Sequence, residues 1–456
     1  MAKRLGRYTV PFDFPSLLYS DAVELAADTG TLPGTTGPLL ETVVDMLDEL
    51  GRPDEYFDCI QVAGTNGKTS TARFSAALLR GEGLRAALYT SPQLVRYEER
   101  MEVDGSVVAP ESFARGVSIA AEAGRRVNAR REREGDLPYH ITPFDLLTVA
   151  AMVVFAEAVV DVAVLEVGMG GRWDATSATD PVAVAITGIG LDHVRILGDT
   201  LAAIAAEKAA VIKPGRSVVL GEGTHEPSVE AVMRERCADC SVKPYSSSHV
   251  VISEPDHIGG GLRFSCEAPF SSYELEIPKP VYQAQNASCA LALAELYLGR
   301  SLDPEAARLS LAACPTPGRF DVVRTDPLLL VDACHNPQSC ENFVSALDEL
   351  APGIEGRPAL LIAALSDKDV SGIVDVLVPA FPRILVTRTA SDRALPVREL
   401  SGIVRGKLAS IGRDADAVDE YEDVPSALAA AAEGRLPLVA AGTITLAGEV
   451  AGLVRG

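Results

Sequence analysis

A chain of 456 residues exceeds what one hydrophobic core usually organises, about 250–300 residues, so two domains are expected. Hydrophobic residues at 47% and charged residues at 23% exclude a disordered chain and supply a sizeable core. The formal charge of −22 repels phosphate backbones and anionic headgroups, which excludes nucleic acid and membrane surfaces as bulk partners.

The basic start Met1-Ala2-Lys3-Arg4 leads into polar and Pro positions without an apolar signal core, so a cytoplasmic protein is expected. Short apolar runs at 57–63, 86–89, 162–167, 182–186 and 217–220 alternate with Ala/Leu-rich helical stretches. The same alternation returns at 328–332, 359–363, 383–387 and 438–441. This is the pattern of parallel sheets covered by helices, and the fold class is α/β. Between 241 and 280, Ser/Gly-rich turns separate short alternating runs at 261–266 and 273–277, which predicts a small antiparallel β insertion. An Ala/Leu helix over 286–298 then stops at Gly299 and Asp303-Pro304, and the domain boundary is placed there, between 1–297 and 298–456. Cys237 and Cys240 form a single CxxC with no second ligand pair, so eight scattered cysteines do not make a disulfide framework.

The chemistry-bearing motifs follow in chain order. The run at 57–63 enters Gly64-Thr65-Asn66-Gly67-Lys68-Thr69-Ser70, and a helical pattern covers 72–79. A strand, a glycine-bearing loop, a Lys and hydroxyls at a helix start make a phosphate cradle: N–H groups face the anion, Lys adds charge, and a hydroxyl can ligate Mg²⁺. The loop is shorter than a Walker A loop, since Val62 stands where that spacing needs Gly. The buried strand 162–167 delivers Glu166 near its carboxyl end, where ligands of open α/β sheets bind. The next strand ends at Asp192-His193, which is either a surface pair or part of the site. From an N-cap at Asp199 or Thr200, helical spacing puts Lys208 on an apolar stripe, so it must snorkel, pair with an anion or lose its charge. In the second half, Arg319 precedes the strand ending at Asp332, and His335-Asn336-Pro337 follows; Arg suits phosphate or carboxylate, and Asn336-Pro337 also suits a plain turn. Asp367-Lys368 and Gly442-Thr443 add further polar strand ends.

Taken together, these segments resemble the folylpolyglutamate synthase/dihydrofolate synthase family of the Mur ligase superfamily. The ordered series is GTNGKTS at 64–70, SPQL at 91–94, EVGMGGRWDAT at 166–176, IGLDH at 189–193, EKAAVIKPG at 207–215, NASCALA at 286–292, PGRF at 317–320, DACHNP at 332–337 and GTITLAGE at 442–449. Gln93 stands where relatives carry His, and Asp145 where they carry Glu. The resemblance implies an N-terminal P-loop ATPase domain, a C-terminal Rossmann-like domain, and an ATP-dependent ligase joining L-glutamate to a folate or dihydropteroate carboxylate through an acyl phosphate. It implies that Gly64, Thr65, Asn66, Gly67 and Lys68 hold ATP, together with Asn286, Arg319 and Asp332. Thr69 or Ser70 with Glu166 is implied for one Mg²⁺, and His193 with a carbamylated Lys208 for a second. His335 and Thr443 are implied for the substrate, and a monomer is expected. The competing expectations are a Mur-type ligase for another carboxylate and a P-loop NTPase without ligase activity.

Overall fold

The computed structural model describes residues 6–27, 39–255, 257, 260–351, 353–414 and 418–455. The chain forms two compact units: residues 1–249, 266–273 and 285–314 make the first, and 250–265, 274–284 and 315–456 the second.

The first unit is built on an eight-stranded sheet of β1 (Asp58–Ala63), β2 (Ala86–Tyr89), β3 (Met101–Val103), β4 (Ser106–Val107), β5 (Val162–Glu166), β6 (Ala183–Gly188), β7 (Ser217–Gly223) and β8 (Tyr245–Ser246), in the order β4-β3-β2-β5-β1-β6-β7-β8. From β2 to β8 neighbouring strands run parallel, and β3 and β4 add an antiparallel edge. All five residues of β5 are buried, as a parallel strand covered on both faces requires. β1 lies between β5, on the side toward β2, and β6, on the side toward β7. The strand order therefore reverses at β1, and the crevice of an open α/β sheet opens at such a point.

One core packs the helices Pro110–Glu134 and Pro143–Glu157 with the N-terminal helices against one face of this sheet. A second core packs Leu201–Ala209 and Pro227–Asp239 against β6 and β7. The helix Pro304–Ala313 also belongs to this unit: a Cβ at Gly81 would press on Ser310 Oγ. Cys237 and Cys240 are buried free thiols, and Cys240 Sγ donates to the Ile212 carbonyl at 3.3 Å.

A three-stranded sheet, β9 (Val250–Ser253), β10 (Leu262–Glu267) and β11 (Ser272–Ile277), has the order β11-β10-β9, with β9 and β10 antiparallel. The sequence pattern over 241–280 differs from the structure in one respect, since β8 leaves the insertion and extends the large sheet beside β7.

The second unit carries a six-stranded sheet of β12 (Asp321–Thr325), β13 (Leu328–Val331), β14 (Ala359–Ile362), β15 (Ile384–Val386), β16 (Val418–Glu420) and β17 (Leu438–Ala441), in the order β12-β13-β17-β14-β15-β16. Only the β12–β13 pair is antiparallel. Helices Pro337–Leu350, Val370–Leu377 and Val397–Ser410 cover its core. Among the described residues no helix is long and apolar enough to cross a membrane.

Candidate active site

The loop after β1 is shaped by two glycines that no other residue replaces without strain. Gly64 has φ +147° and Gly67 φ +83°, and a Cβ on the first would strike Thr187 Oγ1, on the second Asn286 Oδ1. Thr65 fastens the loop to the chain beyond β6: its N–H donates to the Gly188 carbonyl at 2.8 Å, and its hydroxyl donates to the Gly190 carbonyl at 3.1 Å and accepts from the Gly190 N–H at 3.0 Å. Thr187 Oγ1 donates to the Asn66 carbonyl at 2.6 Å. The helix Lys68–Gly81 starts directly at the loop, so Lys68, Thr69 and Ser70 already lie in its first turn. The N-terminal turn and positive dipole end of this helix lie at the loop, which suits an anion. The Lys68 amine donates to the Thr65 carbonyl at 3.0 Å.

Glu166 ends β5 and is 2% exposed. Its Oε1 accepts from the Thr69 hydroxyl at 2.8 Å and its Oε2 from the Ser91 N–H at 3.2 Å. The Thr69 hydroxyl reaches Glu166, and Ser70 is buried beside it in the first turn of the helix. A carboxylate and a hydroxyl meeting beside a phosphate-type loop are hard oxygen donors, the set that Mg²⁺ prefers, so these residues fit that ion.

Lys208 sits in the helix Leu201–Ala209, whose N-cap is Thr200, and its amine donates to the Gly64 carbonyl at 2.8 Å. It is 4% exposed. Burial, then the charge of Lys68, lowers its pKa to about 7, with Asp192 and Asp174 opposing. Near neutrality this amine is therefore present in substantial part as the uncharged nucleophile. His193 stands on an exposed turn with φ +51°, its Nε2 3.9 Å from Asp192 Oδ2. Among the described residues no three His, Cys, Asp or Glu side chains are grouped to hold a metal. Asn286, on the helix Tyr282–Leu298, is buried with its amide against Gly67.

Sequence reasoning passed over Asp174, although it lies inside a quoted motif. This buried carboxylate accepts from the Met169 N–H at 3.0 Å, the Thr176 N–H at 3.0 Å and the Thr176 hydroxyl at 2.6 Å, fixing the glycine loop that follows Glu166. Burial raises its pKa. The ring of Phe144 bounds the same loop at Gly168 and lies 6.1 Å from the ring of Tyr89.

In the second unit Asp332 follows β13. Its carboxylate accepts from the Phe320 N–H at 2.8 Å and the Cys334 N–H at 2.9 Å, which holds Phe320 at φ +50°. Burial raises the Asp332 pKa against the pull of Arg319. Arg319 is half-buried, with Nη1 3.1 Å from the Gly318 carbonyl. His335 Nδ1 lies 2.9 Å from the Ala333 carbonyl; a carbonyl only accepts, so the ring proton is on Nδ1. Asn336 is the N-cap of Pro337–Leu350, in a capping box with Ser339. Thr443 is buried, its hydroxyl 3.1 Å from that of Thr445.

Comparison with known proteins agrees with both units. Residues 62–294 match the Mur ligase middle domain, and residues 318–443 the Mur ligase, glutamate ligase domain. The chain is 35% identical over 382 residues to the dihydrofolate synthase/folylpolyglutamate synthase of Mycobacterium tuberculosis, covering 80% of this chain and 77% of that protein. It is 32% identical over 417 residues to the folylpolyglutamate synthase of Lacticaseibacillus casei, covering 90% and 92%. The crystal structure of the Mycobacterium tuberculosis folylpolyglutamate synthase complexed with ADP superposes with a TM-score of 0.86 at 30% identity, covering 96% of this chain and 99% of that one.

Proposed function

Because the chain belongs to the folylpolyglutamate synthase/dihydrofolate synthase family of Mur ligases, we propose how its own residues divide the work of ATP-dependent glutamate ligation onto folate. The observation that carries the proposal is the meeting of Thr69 and Glu166 at the mouth of the Gly64–Gly67 loop.

The loop N–H groups and Lys68 hold the β- and γ-phosphates, and Thr69 and Glu166 would hold Mg²⁺, which supplies neutralisation of phosphate charge. A carboxylate oxygen of the folate attacks the γ-phosphorus, the bond to ADP breaks, and an acyl phosphate results. The uncharged amine of glutamate then attacks the acyl carbon; phosphate leaves, the nitrogen gives up a proton, and an amide remains. Such transfers need little covalent help from protein, so positioning and charge neutralisation dominate.

Lys208 has the properties of an amine that adds CO₂: it is buried, partly uncharged near neutrality and next to the loop. The carbamate would turn a cation into an oxygen donor for a second Mg²⁺, with His193 as its neighbour in the ligand set. Asn286 is assigned to the nucleotide, as are Arg319 and Asp332, while His335 and Thr443 are assigned to the substrate. Both dihydropteroate and tetrahydrofolate are proposed acyl substrates, and the enzyme is proposed to act as a cytoplasmic monomer. Purified protein given ATP, Mg²⁺ and labelled glutamate, with each acyl substrate offered separately, tests the reading; label that stays in free glutamate in both cases refutes it.

A further inference from the structure

The loop from Ser91 to Arg100 leaves the end of β2, the strand beside β5, and is closed at its base by the Thr90 N–H on the Arg100 carbonyl at 3.0 Å. It is tied to the site through the Ser91 N–H on Glu166. Two carboxylates neighbour Arg100 in sequence, and both are engaged elsewhere. Glu99 accepts from the N–H groups of Leu94, Val95 and Arg96 at 3.0–3.1 Å. Glu98 accepts from the Tyr19 hydroxyl at 2.7 Å and pairs with Arg96 at 3.4 Å.

Among the described residues, the partners of the Arg100 side chain are neutral. Its Nε donates to Gln93 Oε1 at 2.6 Å, its guanidinium carbon lies 5.7 Å from the centre of the Tyr97 ring, and its charge acts on the Tyr89 hydroxyl. Tyr89 in turn packs near Phe144, which bounds the loop after Glu166. A half-buried guanidinium is thus oriented by an amide and the face of the Tyr97 ring, in a loop whose first residue donates to Glu166, in a chain of net charge −22. An amide fixes direction without neutralising charge, and the Nη edge of the fork keeps its affinity for a carboxylate.

We propose that Arg100 binds a second carboxylate on the acyl substrate, next to the one that reacts, and that Gln93 is the positioning residue that aims it. The proposal rests on the ligase reading above and deepens it to a substrate class. A glutamyl-terminated folate that reacts at its γ-carboxylate keeps its α-carboxylate as an anion through both steps. Dihydropteroate has a single carboxylate, which is consumed. Arg100 therefore favours the glutamyl-terminated substrate, through KM.

The test compares tetrahydrofolate with its α-carboxamide analogue, and both with dihydropteroate, on wild type, Arg100→Gln, Gln93→Ala and Gln93→Glu. A charge-assisted hydrogen bond corresponds to about a 10- to 100-fold effect on affinity. Wild type is expected to show a KM that much lower for the acid than for the carboxamide, and Arg100→Gln to abolish the difference at nearly unchanged kcat. Gln93→Ala should reduce the preference, and Gln93→Glu should reduce it further by giving Arg100 an internal carboxylate. KM for dihydropteroate should move less than about threefold throughout. Equal losses on all three substrates, or an acid preference that survives in Arg100→Gln, overturn the proposal. If Arg100→Gln fails to fold, the two Gln93 variants decide it by the same ratio. Wild type that uses none of the three overturns the ligase reading, and the proposal with it.

Discussion

The Thr69 hydroxyl donates to Glu166 Oε1 across 2.8 Å, joining the first turn of the helix after β1 to the carboxyl end of β5. Two chain segments that are far apart in sequence thereby supply the two hard oxygens beside the phosphate loop. Thr69→Val should lower kcat/KM by about 100-fold, the scale of losing one stabilising group in a preorganised site. Glu166→Gln should raise the Mg²⁺ concentration needed for half-maximal rate. Ser70→Ala should leave that requirement within about threefold of wild type. A metal titration across the three variants checks the assignment, and a shift caused by Ser70→Ala alone would reassign the hydroxyl.

Lys208 should expose a conflict between stability and activity. Its folded pKa, about 7, is below the ordinary 10.5. Between these values the unfolded chain binds more protons than the folded one, so stability increases as pH rises through this window. In CO₂-free buffer, denaturant midpoints of wild type should increase from pH 7 to pH 9 by an amount worth about 1–2 kcal/mol beyond any change in Lys208→Met. Lys208→Met should be at least as stable as wild type at pH 7 and should lose nearly all activity. Labelled bicarbonate should give a carbamate carbon signal in wild type that is absent from Lys208→Met.

Gly67→Ala combines a left-handed φ of +83° with contact on Asn286. The strain should destabilise the protein by about 1–3 kcal/mol. It should also raise KM for ATP, because the loop must move to relieve the contact. Thermal unfolding with and without ADP reads both effects: the variant should have a lower midpoint and a smaller shift on adding ADP.

Removing Asp332 should damage the second unit even without ligands. Asp332→Ala leaves the buried N–H groups of Phe320 and Cys334 without their acceptor, at a cost of about 1–3 kcal/mol each. Asp332→Asn keeps an acceptor and should be milder. Urea unfolding followed at a probe in the second unit distinguishes the two variants.

The phosphate loop was legible in the sequence because its chemistry is contiguous: glycines, Lys68 and both hydroxyls fall within 64–70. Glu166 was legible because a charged residue ends a wholly apolar buried strand, and Lys208 because it interrupts an apolar helical stripe. Pairings between distant segments were not legible. Nothing in the spacing says that Thr187 backs Gly64 or that Asn286 backs Gly67. Nor does the spacing say that the Thr69 hydroxyl reaches across to Glu166 at the end of β5. The strands β3, β4, β8 and β16 were not legible because runs of two or three residues are too short for a period-two pattern. Asn336 looked equally like a turn opener and a site residue, and the structure gives it a definite local task as a helix cap.

The most direct measurement follows the oxygen atoms. Folate substrate labelled with heavy oxygen in the reacting carboxylate is incubated with the enzyme, ATP, Mg²⁺ and glutamate, and the released phosphate is analysed by mass spectrometry. Ligation through an acyl phosphate predicts one labelled oxygen in the phosphate for each amide formed, with no phosphate released when the acyl substrate is omitted. Phosphate that carries only solvent oxygen, released at the same rate without folate or glutamate, would contradict the account.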